Sequence, residues 1–206
     1  MEAGQLENLG VGSVINVERS FGMANCWFTA DTHFGHARII DYCKRPFKDH
    51  HEMEEIIFER FNSVVRPGDR LYHLGDVAWS SWPLYTLNRL NTKARYLIFG
   101  NHDKQKPQAY TEAGFIWARD YEKITIGSVP VVLFHYPIRS WNIKGHGGIQ
   151  LYGHCHGTLE PGLGRSMDVG VDTHNFYPYH WDEIYDRLKD KPMFEDDPKD
   201  SHNKNR

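Results

Sequence analysis

Residues 26–33 read CWFTADTH, an apolar run that stops abruptly on Asp31, Thr32 and His33. A short apolar run of this kind, bounded by polar residues, predicts a buried strand with the polar triplet at its carboxyl end. The arrangement recurs down the chain. Predicted strands over 70–74, 95–99, 129–134 and 149–152 run into Gly75-Asp76, Gly100-Asn101-His102-Asp103, His135 and Gly153-His154-Cys155-His156. Another over 167–171 ends at Asp172. Helices are predicted between them. The clearest covers 49–65, where Asp49 and Glu52 have capping-box spacing and Met53, Ile56, Ile57, Phe61, Val64 and Val65 share one face. Pro67-Gly68 stops it. Residues 83–91 (with Leu84, Leu87 and Leu90), 107–113 and 180–188 are also predicted helical. Alternating strands and helices predict a layered α/β fold. In open α/β sheets, ligands bind beyond the carboxyl ends of the strands. Five strand ends that deliver Asp, His and Asn to one edge therefore predict a constructed site.

The chain has 206 residues, enough for one domain burying roughly 70 % of its unfolded surface. The domain is expected over 23–189, after an extension at 1–22 in which 13–17 could form an edge strand, and before a disordered polar tail at 190–206. Lys and Arg number 24 against 27 Asp and Glu, a net charge of −3, which argues against strong binding to duplex nucleic acid. The longest apolar run, 129–134, falls far short of the ~18 residues of a membrane span, and residues 1–10 lack the pattern of a signal peptide. Cys26, Cys43 and Cys155 form no CxxC pair, so a disulfide framework is not expected and a reducing cytoplasm is. Histidine is the anomaly: there are 13, more than the 10 prolines, and several follow apolar runs directly.

Asp31 and His33 are two residues apart and would point to the same side of an extended chain, as would His154 and His156. Imidazole, carboxylate and amide ligands without thiolate suit manganese, iron, zinc, cobalt or nickel. Asp31, His33, Asp76, Asn101, His135, His154 and His156 are too many for one zinc ion and fit two ions sharing a carboxylate. Two divalent ions carry four positive charges. Asp31 and Asp76 remove two and a bridging hydroxide one, leaving a site that favours a phosphate oxyanion. Two ions roughly 3.5–4 Å apart form a clamp for in-line displacement at phosphorus.

The ordered blocks DTH, GD, GNHD, H and GHCH resemble the calcineurin-like metallophosphoesterases over most of the chain, from Trp27 to Asp172. The longer strings FTADTHFGH, YHLGDVA, FHYP and DVGVD look like its small bacterial and phage branch of predicted phosphoesterases. The resemblance implies a four-layer αββα sandwich of two mixed sheets flanked by helices. It implies that Asp31, His33 and His156 hold one metal, that Asn101, His135 and His154 hold the second, and that Asp76 bridges. A bridging hydroxide would attack phosphorus. His102 would contact the phosphate and protonate the leaving oxygen, with Asp103 orienting it.

His36, Arg139 and Trp141 are candidate substrate contacts. Cys155 is expected to be buried and turned away from the metals, His73 to be packed, and Asp168 and Asp172 to be structural. The expected substrate is a small phosphomonoester or phosphodiester, with cyclic nucleotides among the options. The competing readings are an interaction scaffold on the same fold and a nuclease acting on short nucleic acid.

Overall fold

Every residue of β1 (Cys26–Thr29) is buried, and its side chains divide between two cores. Trp27 joins a cluster under the helices, whereas Cys26 and Phe28 join a second cluster between two sheets. β2 (Arg70–His73) and β3 (Ala94–Ile98) repeat this alternation: Leu71 and Leu97 face the helices, and Tyr72 and Ile98 face the other sheet. In this computed structural model, residues 25–79, 82–160 and 164–193 are described. The expected extension at 1–22, its strand at 13–17 and the tail beyond residue 193 lie outside them.

β1, β2, β3 and β4 (Phe115–Arg119) are parallel, and β9 (Tyr179–His180) runs antiparallel to β1, giving the order β4-β3-β2-β1-β9. The second sheet comprises β5 (Tyr121–Ile126), β6 (Val129–Phe134), β7 (Ile149–Tyr152) and β8 (Ser166–Asp168) in that order, with only β5 antiparallel. Both sheets are mixed, as expected. Phe28, Val131, Leu133, Ile149, Leu151 and Val169 fill the space between them.

Among the described residues four helices flank the sheets: α1 (Ile39–Tyr42), α2 (His50–Val64), α3 (Pro107–Glu112) and α4 (Trp181–Leu188). Asp49 caps α2 by accepting from the Glu52 N–H at 2.9 Å, and Glu52 in return accepts from the Lys48 N–H at 2.7 Å, one residue earlier than in an ideal capping box. Met53, Ile57, Phe58 and Phe61 seat α2 on the first sheet, and Ile184 and Leu188 bring α4 to the inter-sheet cluster. No helix among the described residues is long and apolar enough to cross a membrane.

Three local expectations differ from the structure. Leu84–Arg89 is a 3₁₀ helix, because Leu84 and Leu87, three apart, stack directly in a three-residue turn. β4 and β5 were not predicted: β5 is an edge strand with no apolar run, alternating exposed and half-exposed residues. The predicted strand over 167–171 ends at Asp168, and Gly170 leads into a 3₁₀ turn, Val171–Thr173, that carries Asp172.

Candidate metal centre

The loops that leave β1, β2, β6 and β7 are laced together past the strand ends. Asp31 N donates to Gly75 O at 2.9 Å, His33 N to Asp76 O at 3.0 Å and Gly153 N to His135 O at 2.9 Å. An isolated parallel bridge between Ala30 and Gly170 joins the two sheets at the same end. Asp31, His33, Asp76, His154 and His156 all adopt left-handed backbone, with φ of 58°, 51°, 57°, 69° and 49°. Such backbone at non-glycine residues costs roughly 1–3 kcal/mol each and concentrates at functional sites.

The structure brings all seven expected ligands together. Asp31, His33 and His156 each offer an atom within 4.8 Å of the other two, and Asp76, His135 and His154 do the same. Asn101 Oδ1 lies 2.9 Å from His154 Nδ1 and 3.1 Å from His135 Nε2. Asp76 stands between the groups, its Oδ2 3.5 Å from His33 Nε2 and 3.6 Å from His135 Nε2. Gly75 and Gly100 make room for this packing. A Cβ on Gly75 (φ +98°) would strike the His135 imidazole, and one on Gly100 would land on Asp76.

The donors fit a cation. Asp31 is fully buried with no hydrogen-bond partner for Oδ1, and both ring nitrogens of His33 are buried without hydrogen-bond partners. Burial pushes the Asp31 carboxyl well above its usual range and pushes His33 far below its own. Buried polar atoms left this way are costly, and a divalent cation would supply the missing partner to both residues. His135 Nδ1 is engaged by Leu74 O at 2.7 Å and His156 Nδ1 by Asp172 Oδ2 at 2.7 Å, so each has its other ring nitrogen left for the cluster. Burial opposes charge on His156, but Asp172, Cys43 and Asp31 outweigh it and push the imidazole up to about 10.

His102 donates its backbone N–H to Asp76 Oδ1 at 2.7 Å, and its ring centroid lies 5.2 Å from that of His33. Asp103, expected to orient the His102 ring, makes its shortest hydrogen bonds to backbone instead. Its carboxylate accepts from the backbone N–H groups of Asp76 (2.8 Å), Val77 (3.0 Å) and Gly100 (2.8 Å), which fastens two loops to each other. Burial raises Asp103 to about 6 against the pull of these donors.

His36 lies beside the cluster, its ring centroid 5.4 Å from that of His33. Trp141 is buried and donates Nε1–H to Gly148 O at 2.9 Å, because its loop folds back on itself. Arg139 is exposed. Cys155 is half-exposed, lining a cavity of about 570 Å³ with Cys43, Lys44, His154 and His156, rather than buried. His73 is packed as expected: its Nε2 lies 2.9 Å from Thr32 Oγ1, and burial lowers it to about 3.

Sequence reasoning missed Arg45, which is buried and donates to the carbonyls of Asp31 (2.7 Å) and Thr32 (3.1 Å). It also missed Glu54, which accepts from Gly35 N (2.9 Å) and Trp82 Nε1 (3.1 Å). Neither carries a spacing signal. Asp172 did, since it ends a predicted strand as the other site residues do.

Known proteins bear on this cluster. The chain is 31 % identical over 173 residues to an uncharacterized protein, MJ1445, of Methanocaldococcus jannaschii, covering 79 % of this chain and 90 % of that one. It is 26 % identical to the Gene 66 protein of Mycobacterium phage L5, covering 80 % and 94 %. A crystal structure of AQ665, a protein of unknown function from Aquifex aeolicus, superposes with a TM-score of 0.66 at 25 % identity, covering 81 % of this chain and all of that one. Residues 24–205 match the calcineurin-like phosphoesterases, and the chain belongs to that family.

Proposed function

We propose that this chain hydrolyses phosphoesters using two divalent ions, one held by Asp31, His33 and His156, the other by Asn101, His135 and His154, with Asp76 shared. The position of Asp76 carries this reading: one carboxylate oxygen lies 3.5 Å from a histidine of the first group and 3.6 Å from one of the second. Bound ions would offset charge on the phosphoryl oxygens and lower the pKa of water. The donor set suits manganese, iron, zinc, cobalt or nickel. His102 belongs to neither ligand group and lines an open cavity. There it can hold a phosphoryl oxygen and give its proton to the leaving oxygen. Asp103 acts as a positioning residue, keeping the Asp76 and His102 loops in register. The substrate class is a small phosphoester. The three cysteines are free, which suits a reducing cytoplasm.

The test is to strip the protein with a chelator, titrate manganese back, and follow p-nitrophenyl phosphate and bis(p-nitrophenyl) phosphate in parallel. Activity should return as two equivalents bind, and Asp76→Ala should lose both ions and turnover. An Asp76→Ala protein that keeps two ions and a near-normal rate would overturn the shared-carboxylate assignment. The ratio of the two rates separates monoester from diester preference.

A further inference from the structure

Beside His102 the surface opens into a cavity of about 400 Å³ lined by Gly35, His36, Arg38, Tyr42, Trp79 and His102. Its volume lies within the range of pockets that hold small ligands. Two large aromatic side chains stand open to water at this one place: Trp79 is 40 % exposed and Tyr42 is 59 % exposed. His36 stacks against Trp79 with ring centroids 4.3 Å apart and planes 18° from parallel, and His102 approaches the same indole at 5.7 Å. The Arg38 guanidinium lies over the Tyr42 ring, 5.0 Å from its centroid. The cleft therefore combines flat π surfaces, a cation and an imidazole next to the proposed metal ligands.

The platform is also held firmly. Trp79 N donates to Phe34 O at 2.7 Å, and Trp82 N donates to Trp79 O at 2.9 Å. Glu54, on α2, grips Gly35 and Trp82 from beneath. A Cβ on Gly35 would strike the Trp82 ring, so the loop sits close against that indole. The aromatic surface is thus fixed by buried contacts, while the Trp79 indole, with His36 stacked against it, keeps part of its surface open. Fixed aromatic faces beside positive charge are how proteins hold nucleobases next to phosphates, because every base offers a π face.

We propose that this cleft takes the base of a nucleoside phosphoester, stacked on Trp79, with Arg38 at the rim attracting the anionic ester. This rests on the phosphoesterase reading above and names its substrate class. The test uses the manganese-loaded full chain and two diesters with the same leaving group, thymidine 5′-(p-nitrophenyl) phosphate and methyl p-nitrophenyl phosphate. Base stacking is worth about 1–3 kcal/mol by alanine substitution. Trp79→Ala should therefore lower kcat/KM for the thymidine ester by about 5- to 150-fold beyond any loss on the methyl ester, and Trp79→Phe should restore most of the difference. Trp79→Leu, which keeps an apolar side chain but no π face, serves as a second variant if Trp79→Ala does not fold, and should also weaken the thymidine ester more than the methyl ester. Equal losses on both esters, or a wild type that does not prefer the thymidine ester, would overturn the proposal. If neither diester nor p-nitrophenyl phosphate is hydrolysed, the phosphoesterase reading fails on its own. Calorimetric titration with thymidine 5′-phosphate then decides the cleft: binding lost in Trp79→Ala supports it, and no binding by the wild type overturns it.

Discussion

Arg45 and Asp172 face each other beneath the cluster in two parallel hydrogen bonds, Nε to Oδ1 at 2.8 Å and Nη2 to Oδ2 at 2.7 Å. The same guanidinium holds the carbonyls of Asp31 and Thr32, and the same carboxylate holds His156 Nδ1. Removing one partner of a buried pair leaves an uncompensated charge. Asp172→Ala should cost about 3–5 kcal/mol in urea unfolding. It should also weaken metal binding about 10–100-fold in a chelator competition, since His156 loses the partner that sets its ring. Unchanged affinity would sever Asp172 from the site.

Asp103 offers a sharper discrimination. If its work is to fasten the backbone of residues 76, 77 and 100, Asp103→Ala strands three N–H donors at once. Stability should fall by about 2–4 kcal/mol. A variant as stable as wild type, but slow, would instead return Asp103 to the role of orienting His102.

Proton donation by His102 matters only for poor leaving groups. An alkoxide leaves badly without a proton, whereas p-nitrophenolate leaves readily alone. General-acid assistance is worth about 10²–10⁴-fold where it is needed. His102→Ala should therefore slow alkyl phosphoesters far more than p-nitrophenyl esters, with metal content unchanged. Equal slowing would mean that His102 only steadies the phosphate.

Asp69 links stability to pH away from the site. Its burial favours the neutral acid, but donors from Arg66 N (2.9 Å), Trp27 Nε1 (3.0 Å) and Asn25 outweigh this and hold the carboxyl below its usual range. A folded value below the unfolded one means stabilisation that is full above about pH 4 and is lost as pH falls through the lower, native value. Asp69→Asn should cost about 2 kcal/mol near pH 7, and the gap to wild type should narrow near pH 3. A pH-independent gap would show that the charge is not what stabilises the turn.

What could be read from sequence alone was whatever is local in the chain. An apolar run ending in polar residues favours a strand with those residues at its edge, so β1, β2, β3, β6 and β7 were legible, and so was the meeting of Asp31, His33, Asp76, Asn101, His135, His154 and His156 at one place. The α2 cap was legible for the same reason, since Asp49 and Glu52 are three residues apart. Edge strand β5 was not, because it buries too little to leave an apolar pattern. Trp141 was misread because its indole is satisfied by a carbonyl only once the loop closes. Arg45 and Asp172 lie 127 residues apart, and only the packing of the two sheets sets them face to face. The left-handed backbone at five expected ligands arises likewise from loops pinned across neighbouring strands, a constraint that no stretch of sequence carries by itself.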